Sequence, residues 1–153
     1  MTVDAAWLAR HINLLRASYR HWTDLDLLSP ELDDDQAIDA LNSVDFAIVS
    51  HGLETDPIFN YANPAALRLF EMSWAEFTNL PSRLSAEPLL QSEREQLLRR
   101  VTRHGYISDY CGVRISGQGR RFKIHNATVW NLLDEAGRPY GQAALLREWE
   151  PLD

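Results

Sequence analysis

Between Trp7 and Trp22, large and mostly apolar residues recur at spacings of three and four. Trp7, Leu8, His11, Ile12, Leu15, Tyr19 and Trp22 form one stripe, which predicts an amphipathic helix over residues 4–22. A second, acidic helix is expected from Ser29-Pro30 to about Leu41. Ser29 can cap it, Pro30 suits the first helical position, and Glu31, Asp33 and Asp34 favour the positive end of the helix dipole. The period then changes. Phe46–Ser50 is a short apolar strand, residues 51–57 form a loop, and Ile58–Ala62 is the returning strand.

Asn63-Pro64 marks a sharp corner. Asn63 sits where an N-cap belongs and Pro64 where a missing N–H costs nothing, so a helix is expected over Pro64–Glu71. Ser73-Trp74-Ala75-Glu76 is a capping-box pattern that opens a short helix at Trp74. Residues 79–88 (NLPSRLSAEP) are broken by two prolines and should hold only a short turn. Leu89–Arg103 reads as a helix with Leu90, Leu97, Val101 and His104 on one face and Gly105 as its stop. The rest is strand: Tyr106–Ser116 and Arg120–Leu133 across Gly117-Gln118-Gly119, then the turn 134–139 and a last strand Tyr140–Trp149. Two early strands, intervening helices and three late strands predict one α+β domain. Its five-stranded antiparallel sheet carries helices on one face, preceded by a helical extension. The extension is expected over residues 1–42, packed on the domain or dimerising it, and the sheet domain over residues 43–153.

Composition narrows the function classes. Hydrophobic content of 45% and charged content of 24% are those of an ordinary globular chain, and 153 residues suffice for one core. No apolar run approaches the ~18–20 residues of a membrane span. The N-terminus lacks a secretory pattern and Cys111 has no disulfide partner in the chain, so a reducing, cytoplasmic setting is expected. A net charge of −7 argues against nucleic acid. Residues 1–60 hold 11 acids and 3 bases, whereas residues 94–123 hold 8 bases against Glu95 and Asp109. Two readings stand for this asymmetry: solvated or mutually facing surfaces, or a patch that docks a partner.

The strand-to-helix corner at Asn63-Pro64 resembles that of a PAS domain. The closing segment DEAGRPYGQAALLREW is similar to the turn and last strand of that fold. More narrowly, residues 14–27, 50–71, 80–88 and 112–144 resemble the MEKHLA family, a PAS-related group. The resemblance implies a PAS-like fold that senses a signal or controls dimerisation, and it brings no catalytic residues.

A PAS pocket would lie between the sheet and the long helix. Its candidate liners are Phe46, Ile48, Phe59, Tyr61, Leu69, Leu97, Val101, His104, Phe122, Ile124 and Trp130. The same residues could equally fill a solid core. The phase of each strand carries an uncertainty of one residue, and a slip of one exchanges the inward set for its neighbours. His104, with His125 as the alternative, is the candidate axial ligand for haem, although a histidine in a last helical turn also suits the helix dipole from the surface. Flavin photochemistry is not expected, because the helical region lacks the Gly-x-Asn-Cys-Arg pattern. The five histidines show no metal-ligand spacing, and no nucleophile elbow or phosphate loop is present, so an enzyme is not expected. The stripe Trp7, Ile12, Leu15, Tyr19 and Trp22 is the candidate dimer or partner surface, or else the cover of its own sheet. Expected partners are therefore a second copy, a small apolar or aromatic ligand, or another protein.

Overall fold

The computed structural model describes residues 3–87 and 91–152. Helix α1 (Ala5–Thr23) is capped by Asp4, whose carboxylate accepts the Trp7 N–H, and ends at Asp24 in a left-handed conformation. Helix α2 (Asp34–Ser43) begins later than the Ser29-Pro30 signal suggests. Asp33 and Gln36 form a reciprocal capping box that satisfies two orphan N–H groups, while Pro30 lies in a turn. The carbonyls of Ser29 and Leu32 accept from the Arg16 guanidinium instead.

Strands β1 (Ala47–His51) and β2 (Phe59–Ala62) lead into α3 (Pro64–Phe70) and α4 (Trp74–Phe77), then a 3-10 turn at Ser82–Ser85 and helix α5 (Gln91–His104). The expected start of that helix at Leu89, and the place of Leu90 on its face, lie outside the described residues. Strands β3 (Tyr106–Ile115), β4 (Arg121–Leu133), β5 (Pro139–Leu146) and β6 (Glu148–Leu152) complete the chain. The sheet is antiparallel in the order β2-β1-β5-β4-β3. Strand β6 continues β5 along β4 in the same register, pairing Glu148–Leu152 with Arg121–His125. The single last strand expected over Tyr140–Trp149 is thus interrupted at Arg147 and runs on to Leu152.

Helices cover both faces of this sheet. On the outer face, Ile12, Leu15 and Tyr19 of α1 and Ala37 and Leu41 of α2 pack on Ile48, Tyr61, Trp130, Leu132 and Leu145. On the inner face, Ala66 and Phe70 of α3 and Phe77 of α4 pack on Ala47, Val49, Phe59, Phe122 and Leu146. Leu97 and Val101 of α5 meet Ile107 and Val129. Gly105 has two reasons to be glycine. Its φ is +90°, and a Cβ there would stand 2.4 Å from the Trp22 ring. Trp22 is held in that place by its indole N–H, which donates to the Asn131 carbonyl at 2.9 Å.

Asn63 joins the two layers. Its side-chain oxygen caps α3 by accepting the Ala66 N–H and also accepts the Ile48 N–H, at 3.1 and 3.0 Å. Its amide donates to the carbonyls of Leu41 and Phe46 at 3.0 and 2.9 Å. The side chain is 1% exposed, so all four bonds are made out of water.

Candidate ligand cavity

A cavity of about 70 Å³ lies between α5 and the inner face of the sheet. A cavity needs at least ~10–15 Å³ to admit one water, so this one has room for a small molecule. Its apolar wall comes from Val49, Phe59, Phe70, Leu97, Ile124, Val129 and Leu146, and its polar groups from His51, Ser82, Ser85, Arg94, Arg114 and Gln142.

Arg94 is buried because of its spacing on α5. It stands three residues before Leu97 and seven before Val101, on the face turned to the sheet. It is 6% exposed. Its guanidinium donates to the Ser82 hydroxyl. Among the described residues neither Arg94 nor Arg114 forms an ion pair. Burial, and then the like charge of Arg114, lower Arg94 to about 10, which leaves it charged at neutral pH. Arg114 lies over the Tyr110 ring at 5.2 Å, and burial pushes that phenol up.

His51 stands beside this pair. Its Nδ1 donates to the Gly52 carbonyl at 3.0 Å, which leaves Nε2 as the acceptor, buried without a partner. Burial lowers its pKa, so the ring is neutral. The Gln142 amide is tied down by donating to Asn131 Oδ1 at 2.9 Å and Thr102 Oγ1 at 3.2 Å.

Of the eleven pocket candidates read from the sequence, Phe59, Leu97 and Ile124 line the cavity. Phe122 packs edge-on to Phe70 at 5.3 Å, Val101 is sealed in the small cluster between α5 and the sheet, and Leu69 lies at the rim of the inner core. Ile48, Tyr61 and Trp130 belong to the outer face, and Phe46 lies on that side beneath the Arg147 guanidinium. The physical reasons are local. On β1 the inward set is Ala47 and Val49, one residue out of phase with Phe46 and Ile48. On β2 a bulge opposite His51 reverses the alternation, so Phe59 faces inward and Tyr61 outward. On β4, Asn126 at φ 52° separates inward Ile124 from outward Trp130.

His104 is exposed at the end of α5 and does not line the cavity. His125 pairs with Glu150 at 3.1 Å away from the cavity. Cys111 is exposed on β3. Ile12, Leu15 and Tyr19 are buried against the chain's own sheet, with Trp7 and Trp22 half-buried at the ends of the stripe. The basic segment pairs with Asp109, Glu71 and Glu87, through Arg100, Arg120 and Arg121. Among the described residues no helix is long and apolar enough to cross a membrane, and no cluster of His, Cys, Asp or Glu is placed to hold a metal ion. Sequence reasoning missed Arg94, Arg114 and His51. For Arg94 a signal was present, since a charged residue in phase with Leu97 and Val101 cannot stay in water.

The outer face holds a different polar group. His11 is wholly buried, stacked on Trp7 at 4.6 Å. The Ser50 hydroxyl donates to Asn60 Oδ1 at 2.5 Å, so His11 Nε2 is the donor to Ser50 Oγ at 2.8 Å. Burial lowers His11 to about 4.

The MEKHLA domain description matches residues 9–151. The chain belongs to the MEKHLA domain family. Among its relatives are two homeobox-leucine zipper proteins of Oryza sativa, HOX32 at 25% identity and HOX10 at 28%, each matched over 95% of this chain. This MEKHLA chain spans about a sixth of their length, 16% and 17% respectively. Its fold is that of a PAS domain. The PAS domain of a protein from Colwellia psychrerythraea superposes with a TM-score of 0.63 at 18% identity, covering 74% of this chain and 94% of that one. The light-state dimer of the fungal blue-light photoreceptor Vivid gives a TM-score of 0.60 at 18% identity, covering 96% and 95%. The MEKHLA chain is thus a PAS fold with helices on both sheet faces and a small, partly charged cavity under α5.

Proposed function

We propose that this MEKHLA chain is a non-catalytic sensory module that takes up a small ligand under α5 and signals its occupancy through contacts with a second copy or another protein. In this reading residues 1–42 form the layer that closes the outer face, and residues 43–153 form the PAS-like unit. The observation that carries it is the contrast inside the cavity, where apolar walls surround two guanidiniums without a carboxylate partner among the described residues and a buried imidazole nitrogen, His51 Nε2, with no hydrogen bond. Protein interiors rarely leave such groups unsatisfied without a role for them. Because Ile12, Leu15 and Tyr19 already face the sheet, a partner would meet the opposite side of α1 or a sheet edge.

A second reading, a pure interaction module, is favoured by the cavity's size. About 70 Å³ is well below the ~300–1,000 Å³ of drug-sized ligand sites. Native mass spectrometry, with an absorbance scan of the same sample, separates the two. A mass excess that is lost on denaturation supports the sensory module. A bare mass that no small molecule changes supports the interaction module.

A further inference from the structure

We infer that the ligand is a small monocarboxylate, its anionic end held by Arg94 and Arg114 and its short carbon chain lying on Leu97, Ile124 and Leu146. This rests on the reading that the cavity binds a ligand, and it adds the chemical class. The argument begins with Arg94. A guanidinium carries five N–H donors, and among the described residues this one makes a single hydrogen bond, to the Ser82 hydroxyl, while 6% exposed.

Its neighbour in the cavity is a second guanidinium rather than a carboxylate. Asp56 and Glu95 are the acids whose charge reaches Arg94, and Asp56 is engaged by Arg83 at 3.1 Å. Arg94 has lost its hydration, and the like charge of the half-buried Arg114, which lies over Tyr110 and donates to the Val113 carbonyl at 3.2 Å, repels it across the same space. A carboxylate between them would relieve both effects and could accept paired N–H bonds from a planar fork. His51 is neutral and adds no third charge to the pair. Apart from Ser50, Ser82, Ser85, Tyr110 and Gln142 the remaining wall is aliphatic and aromatic, which suits a chain of a few carbons. The volume of about 70 Å³ keeps the ligand small.

The test is calorimetric titration of the whole protein with butanoate and with butanamide, which has the same shape and no charge. Butanoate should bind, and butanamide should bind at least about tenfold more weakly. Arg94→Met and Arg114→Met should each weaken butanoate by about tenfold or more and weaken butanamide by a smaller factor. The wild-type comparison stands even where a variant fails to fold. Equal binding of butanoate and butanamide would overturn the carboxylate assignment and leave a ligand cavity standing. Failure of both probes at millimolar concentration, with a bare native mass, would overturn the assignment and the sensory reading together. Failure of both probes with a bound mass of neutral chemistry would overturn the assignment alone.

Discussion

The two faces of the sheet are built to different standards. On the outer face, α1 and α2 close over Ile48, Trp130 and Leu132, which are each 0% exposed, and His11 has hydrogen-bond partners for both ring nitrogens. The Trp130 indole N–H is the one orphan among the described polar groups of that face, and its ring lies edge-on to Tyr19 at 5.0 Å. On the inner face, α5 arches over a void, and a buried guanidinium and an imidazole nitrogen face it without full partners. The outer layer is organised for packing, and the inner layer leaves packing incomplete where polar groups converge. In the proposed reading, stability and binding fall on opposite sides of one sheet, as expected when local rules are broken at a functional site.

Equivalent deletions on the two faces should expose this difference. Leu15→Ala removes a wholly buried side chain from the closed layer and should cost about 4 kcal/mol. Leu97→Ala removes a side chain whose surroundings are already partly empty and should cost about 2 kcal/mol. Urea unfolding measures both, and equal costs would break the comparison. Asn63→Ala should cost about 3 kcal/mol, because four buried bonds spanning α2, β1 and α3 are lost at once.

The outer face also predicts a pH dependence. His11 is held at about 4 against an ordinary 6.5. Between those values the unfolded chain binds more protons, so stability rises with pH through this window and is lost as pH falls from 6.5 towards 4. The loss approaches about 3 kcal/mol. His51, also lowered by burial, acts in the same direction. Urea midpoints at pH 7, 5 and 4 should fall less steeply for His11→Gln than for the parent. An unchanged slope would show that His11 protonates without disturbing the layer.

The smallest effect is opposite in sign. Replacing an unpaired buried cation by an apolar chain should leave the ligand-free protein as stable as before, or about 1 kcal/mol more stable, in Arg94→Met. A loss of about 3 kcal/mol would make Arg94 a structural residue of α5 instead.

Much of this architecture was legible in the chain. The α1 stripe, the Asn63 cap, the Ser73 box and the Gly105 stop are local signals, and each reappears at its position. The two-sided layering was legible only as one of two alternatives, because a stripe on α1 states that a face is buried and not what covers it. The candidate site was less legible. Alternation along β2 and β4 is reversed by a bulge and by Asn126, so Tyr61 and Trp130 fall on the outer face while Phe59 and Ile124 remain inside. Arg114 and His51 come to Arg94 across the sheet, and no spacing along the chain encodes that meeting.

The central claim is that the inner face receives a ligand while the outer face stays closed. Amide chemical-shift mapping during a butanoate titration tests it most directly. The account predicts the largest shifts at amides of β1, α5, β3 and β5 around Arg94, Arg114 and His51, with α1 changing least. Shifts centred on α1, or none at saturating butanoate, would contradict it.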